Sequence, residues 1–148
     1  MSLELEPNPI PNPHRIELYP SSPDLDVGAK RLTEDFLREN PSCSPDSFTV
    51  STAKAYSVHV ASPTPALGPV LEEILVNPVL DRTSSPDEWT KADLYVERRF
   101  RPGMTDNAAR ALEEALAIRL GMDPNGSTGI RANRIDLFRI SAESEELR

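Results

Sequence analysis

The 148-residue chain has one cysteine and two histidines. With no second thiol, Cys43 forms no internal disulfide, and such a chain suits a reducing compartment. Cys43, His14 and His59 lie far apart in sequence and fall short of the roughly four Cys/His ligands of a structural zinc site. Cys43 sits between Pro41 and Pro45 with no Cys/His signature around it, which reads as a loop thiol rather than a nucleophile. Glycine is also scarce, at six residues. No glycine-rich phosphate loop is present, because the 126–129 region lacks the lysine that such a loop needs. No Ser/His/Asp or Cys/His triad can be assembled. No stretch approaches the roughly 18 continuous apolar residues of a membrane span. The N-terminus has no charged region followed by an apolar run, so it does not read as a secretory signal, and a cytoplasmic location is expected. Basic residues number 16 against 24 acidic ones, a net charge of -8. That field repels phosphate, so neither nucleic acid nor membrane is expected as a partner. Arg98, Arg99 and Arg101 form a local basic cluster that reads as a solvated strand edge.

Proline, by contrast, is abundant, with 15 residues, six of them before residue 24. Pro7, Pro9, Pro11 and Pro13 alternate, which makes 1–13 an extended tail that cannot donate to a sheet. Ile16 and Leu18 then alternate with Glu17 and Tyr19 as a short strand. Asp26 is placed to cap a helix whose apolar face is Leu25, Ala29, Leu32 and Phe36, closed by Pro41. Phe48 to Val60 reads as a strand, and Lys54 interrupts its apolar face, so a bulge near Ala53 is expected. Leu67, Val70, Leu71, Ile74 and Leu75 fall at helical spacing, the strongest amphipathic signal in the chain. Asn77-Pro78 stops that helix.

A long strand is expected from about Thr90 to Arg101, too long for one strand of a small module, tying two halves together. Pro102-Gly103 turns it. Asp106 then caps a helix with Ala109, Leu112, Leu116 and Leu120 on one face, ended by Gly121. A loop through Pro124, Asn125, Gly126 and Gly129 leads to a strand from Ile130 to Ile140, and a helix is expected from Ser141 onward. The order β-α-β-α-β-α-β invites a search for repeats. A slide of 80 residues, without a gap, lays Asp26 on Asp106, Ala29 on Ala109, Leu32 on Leu112, Lys54 on Arg134 and Val60 on Ile140. The reading is two related β-α-β units sharing one sheet, their helices on one face. Each strand has one apolar parity, so one sheet face alone is expected to need cover. Leu94 and Val96 are then candidates for the inward side, intolerant of Asp. The second unit lacks a final helix and strand, which would leave apolar surface for self-association or for a partner.

The segment Glu73-Ile74-Leu75-Val76-Asn77-Pro78-Val79-Leu80-Asp81 resembles the end of the PurS-type small subunit of bacterial phosphoribosylformylglycinamidine synthase, where a helix runs into an Asn-Pro-Val-Ile-like turn. Arg99-Phe100-Arg101-Pro102-Gly103-Met104-Thr105-Asp106-Asn107-Ala108 resembles the strand–turn–helix entry of the same family, as fused at the N-terminus of the large single-chain synthases. Asp24-Leu25-Asp26-Val27-Gly28 is its weaker counterpart. The resemblance spans about 14–140. It implies an α+β fold of tandem β-α-β-β-α-β units, 14–88 and an incomplete 89–148, with an antiparallel sheet and helices on one face. It implies a non-catalytic scaffold that docks a synthetase and a glutaminase, in an assembly that makes formylglycinamidine ribonucleotide from formylglycinamide ribonucleotide, ATP and glutamine. ATP and magnesium would belong to the synthetase part, with none in this chain, and the module is expected to form homo-oligomers.

Lys54 and Tyr56 match a Lys-Tyr pair of the family strand and, with Arg99 and Arg101, are the candidate partner contacts. Asp26 and Asp106 read as helix caps rather than catalytic acids. Glu72-Glu73 and Glu113-Glu114 point about 100° apart on a helix and read as solvated faces, not shared acid–base sites. No catalytic, cofactor-binding or metal-binding residue is assigned. The competing reading is a regulatory module similar to ACT domains, binding a small metabolite at a glycine-containing strand–helix turn, for which Pro102-Gly103 is the one candidate. An enzyme in its own right is the third reading.

Overall fold

The structure is a computed structural model that describes residues 13–62, 64–86, 89, 92–101 and 104–142. Most of the proline-rich tail, the Pro102-Gly103 turn and 143–148 lie outside the described residues. The elements run β1 (His14–Pro20), α1 (Val27–Glu39), β2 (Phe48–Val60), α2 (Leu67–Leu75), β3 (Asp81–Arg82), β4 (Leu94–Arg99), α3 (Asn107–Arg119) and β5 (Ile130–Ala142). The strands form one antiparallel sheet in the order β3-β1-β2-β5-β4. The fold is therefore α+β.

Capping explains where the helices start. Asp26 and Asp106 each accept the backbone N–H three residues on, Ala29 at 2.9 Å and Ala109 at 3.0 Å. α2 has no side-chain cap at its start and stops where the Asn77 side-chain oxygen accepts the N–H groups of Val79 (3.0 Å) and Leu80 (3.3 Å). Just past the end of α3 and its cap Leu120, Gly121 takes a left-handed φ of +75°. That turn lets Met122 N–H reach the Ala117 carbonyl at 2.8 Å.

In β1, β2, β4 and β5 the even-numbered residues face the helices. Ile16 and Leu18 of β1, Tyr56 and Val58 of β2, and Ile130 and Ala132 of β5 join Leu71 of α2 and Leu112 and Leu116 of α3 in the main core. Leu71, Leu116 and Val58 are almost fully buried. Each such side chain contributes about 1.5–3 kcal/mol.

Four expectations change. Pairing of β2 with β5 runs unbroken from Phe48↔Ala142 to Val60↔Ile130, so there is no bulge at Ala53. Lys54 stays on its face because it is exposed there, opposite Asp136. Of the expected 90–101 strand, residues 90–91 lie outside the described residues, 92–93 and 100–101 are not strand, and Leu94–Arg99 form β4; among the described residues β4 pairs with β5 and β3 with β1. Ser141 and Ala142 continue β5 rather than opening a helix. Finally, the sheet face away from the helices has its own core: Tyr19, Ala55, Trp89, Ile135 and Leu137 are buried there. Trp89 covers this face, meeting the Tyr19 ring edge-on with centroids 5.2 Å apart and that of Tyr95 at 6.0 Å.

The correspondence between the two β-α-β segments is stepped rather than uniform. β1 and α1 map onto β4 and α3 by adding 80 (14→94, 27→107), but β2 maps onto β5 by adding 82 (48→130, 60→142). The pairing registers agree, since His14↔Val58 becomes Leu94↔Ile140. The two extra residues fall in the loop before β5, so the gapless slide misplaces β5 by one full pleat. Under the offset of 82, Lys54 corresponds to Asp136, and these two residues are paired with each other. An approximate twofold axis therefore passes between them.

Candidate interaction surface

Lys54, the first of the candidate contacts, lies at this axis on the helix side. Around it are Asp136 on β5 and Arg98 on β4, in register across three strands. Arg98 Nη2 donates to Asp136 Oδ2 at 3.0 Å, and Arg134 Nε lies 3.2 Å from Asp136 Oδ1 without hydrogen-bond alignment. The Arg98 guanidinium also stands 5.1 Å from the centroid of the Phe138 ring. These pairs are largely solvated, and each contributes at most about 1 kcal/mol. Their use is a polar centre in a groove walled by α1 residues Val27, Arg31 and Leu32 and floored by Lys54, Asp136 and Phe138.

The other candidates do not gather there. Tyr56 is buried in the main core, and burial raises its phenol pKa. Arg99 is exposed on the opposite sheet face and pairs with Glu97 at 3.5 Å. Arg101 is exposed just beyond β4. The structure thus splits the four across a core position (Tyr56), the two opposite sheet faces (Lys54 and Arg99) and a strand end (Arg101).

Asp26 and Asp106 do more than cap. The second carboxylate oxygen of Asp26 accepts Thr52 N–H at 2.7 Å, and the Thr52 hydroxyl also donates to Asp26. The second oxygen of Asp106 accepts Arg134 N–H at 3.0 Å. Each carboxylate therefore ties a helix start to the following strand, and 52→134 obeys the same offset of 82. Glu113 is not merely solvated, since its Oε1 accepts Ala132 N–H at 2.9 Å and ties α3 to β5. Glu72 is exposed, and Glu73, also exposed, pairs with Arg119.

Sequence reasoning missed the polar clasp on the face away from the helices. Arg15 on β1 reaches over the two central strands to Glu97 on β4 and donates to Glu17 at 3.0 Å. Tyr95 donates to Glu97 at 2.9 Å, and Tyr19 donates to Glu17. Hydrogen bonding from Arg15 holds the Glu97 carboxyl below the usual range, and its acceptance raises the Arg15 pKa further. Burial, then hydrogen bonding to Glu17 and Glu97 respectively, pushes the phenols of Tyr19 and Tyr95 up to about 12. Below this clasp Arg139 is buried, its guanidinium donating to Ser51 at 2.8 Å and Ser141 at 2.9 Å. The signal for this face was Ile135 and Leu137 falling on the parity opposite to Phe138 and Ile140.

Among the described residues no group of three His, Cys, Asp or Glu side chains is placed to hold a metal ion, and no helix is long and apolar enough to cross a membrane. Cys43 is half-buried in the loop between α1 and β2. No family model, no curated protein and no solved structure matches the chain.

Proposed function

We propose that the chain is a non-catalytic scaffold module of a glutamine-dependent amidotransferase, of the phosphoribosylformylglycinamidine synthase kind, in which two PurS-like units stand side by side in one sheet. The observation that carries this reading is the stepped correspondence itself. Two β-α-β segments with 13-residue helices and 13-residue second strands, each with an Asp that caps its helix and tethers the next strand, lie about a common axis. The residues that carry the resemblance have local structural roles that support the reading: Asn77 turns the chain after α2 by accepting from Val79 N–H, and Asp106 caps α3 by accepting from Ala109 N–H.

In this reading the module is a spacer of fixed shape. Ammonia released by a glutaminase must reach a synthetase, and a misplacement of order 1 Å costs ~10²-fold in rate. The tethered caps and the two-sided core serve that rigidity. ATP and magnesium would be held by the synthetase. Arg99 and Arg101 are the exposed candidate contacts, with Lys54 at the axis; Tyr56 acts through packing.

Co-purification tests the reading. The tagged full chain is expected to capture a synthetase and a glutaminase of this class, and Arg99→Glu with Arg101→Glu is expected to weaken capture without lowering Tm. Glutamine or ATP turnover by the pure chain, lost on a point substitution, would overturn it.

A further inference from the structure

Pairing of β1 with β2 stops at Leu18↔Lys54, and pairing of β4 with β5 stops at Arg99↔Ile135. The first part of β2 and the first part of β5 therefore each have one edge with no strand beside it. Thr52 N–H and Arg134 N–H point out of those edges, to Asp26 and Asp106. Backbone groups alternate sides along a strand, so Val50 and Ala132, two residues earlier, point the same way. Ala132 N–H donates to the Glu113 carboxylate at 2.9 Å. Its counterpart Val50 N–H (132−82) has no acceptor among the described residues. In the place of Glu113 stands Thr33 (113−80), whose hydroxyl turns back to the Ala29 carbonyl at 2.8 Å.

The space beside the two edges differs accordingly. Next to α3 it is about 310 Å³ and contains Glu113, whereas next to α1 it is a cleft of about 750 Å³ that reaches Trp89. The larger volume is that of a small-molecule site. Lys30, Arg82 and Arg139 line it. Among the described residues neither Arg82 nor Arg139 has a carboxylate partner. Arg139 is 5% exposed, its partners are two uncharged serine hydroxyls, and its Nε has no acceptor. Burying a cation without a counter-charge is costly. Of the two carboxylates that line the cleft, Asp26 is spent on Ala29 and Thr52, and Glu34 is exposed.

We propose that this cleft binds a small monocarboxylic acid with an apolar body, its carboxylate accepting from Val50 N–H as Glu113 accepts from Ala132 N–H. The chain thus shows in one half, with its own side chain, the contact that a ligand makes in the other. Lys30, Arg82 and Arg139 supply the positive field, and Trp89 and Phe48 supply apolar wall. Three cations against two carboxylates favour a single negative charge, and Glu34 disfavours a second. The inference rests on the two-unit part of the reading above and not on amidotransfer.

The test titrates the full chain with benzoate, with its neutral counterpart benzamide and with inorganic phosphate. The readouts are the fluorescence of Trp89, the sole tryptophan, and Tm. Benzoate is expected to give a saturable change with a Kd of about 1 mM and to raise Tm, and the other two are expected to bind roughly tenfold more weakly or not at all. Thr33→Glu, which supplies the carboxylate from the chain itself, is expected to raise Tm and abolish the benzoate response. Arg82→Gln, at an exposed residue, is expected to leave Tm within about 2 °C and to weaken benzoate roughly tenfold. No saturable response to benzoate, benzamide or phosphate binding as tightly, an unchanged Kd in either variant, or a lower Tm for Thr33→Glu would overturn the inference. Partner capture does not enter any of these readings, so the scaffold proposal can fail while this one stands.

Discussion

Replacing Asp26 by Ala removes three acceptances at once. Ala29 N–H loses its cap, which costs about 1 kcal/mol. Thr52 N–H, 2.7 Å from the carboxylate, loses its partner beside a buried side chain, which costs about 1–3 kcal/mol. The Thr52 hydroxyl can rotate, so its loss adds little. The sum is about 2–4 kcal/mol, a large part of the roughly 5–15 kcal/mol that holds a domain folded. Urea denaturation followed by Trp89 fluorescence and by circular dichroism measures it, since Trp89 is the sole tryptophan and is buried. Tm should fall by roughly 5–15 °C for a chain of this size. Asp26→Asn separates the two contributions. An amide keeps one acceptor for Ala29 but presents its own N–H to that of Thr52, so it should recover only the cap, about 1 kcal/mol. Asp106→Ala should behave alike, through Ala109 and Arg134. A loss below about 1 kcal/mol for Asp26→Ala, or full stability for Asp26→Asn, would refute the idea that these acids tether strands.

Other substitutions probe separate parts of the fold. Glu97→Gln should destabilise at neutral pH and converge with the parent in acid. The folded-state pKa of Glu97 lies below its ordinary 4.5, so its stabilisation is present above 4.5 and is lost as pH falls through the folded value. The raised phenols work in the opposite sense: their contribution is intact below pH 10 and fades as pH rises toward about 12, which alkaline unfolding would show. Gly129→Ala should cost about 1–3 kcal/mol in urea, because φ is +70° and a Cβ would lie 2.7 Å from that of Ala61. Leu94→Asp should cost under about 1 kcal/mol, since Leu94 is 51% exposed, whereas Leu137→Ala should cost about 2–5 kcal/mol at a fully buried site.

The helix side was legible because its signals are local. Asp26 and Asp106 mark helix starts by chemistry alone, and the spacing of Leu67 to Leu75 declares a face. The far side was not, because its core draws on residues that look polar or small in their own strands. Ala55 lies between Lys54 and Tyr56 and reads as a gap, yet it is fully buried. Trp89 contributes from outside any long strand, and the Arg15–Glu97 clasp joins residues 82 positions apart. Nothing in local spacing predicts such contacts. Leu94 and Val96 do lie on the helix-side parity, but the burial expected of them fails for a related reason: parity says which way a side chain points, not whether anything lies over it. The candidate contacts were chosen by likeness to a motif, so strand geometry was free to send Lys54 and Arg99 to opposite faces.

The axis between Lys54 and Asp136 also governs which strands can exchange partners. If a strand pairs antiparallel with its own copy, the residue on the axis meets itself. β2 against another β2 in the same register would set Lys54 against Lys54, and β5 against β5 would set Asp136 against Asp136. Like charges directly opposite are destabilising, whereas opposite charges attract. β2 against β5 is the sole combination of the two that places opposite signs there. The central ladder thus disfavours pairing of β2 with β2 or of β5 with β5, and keeps each central strand to its unlike partner.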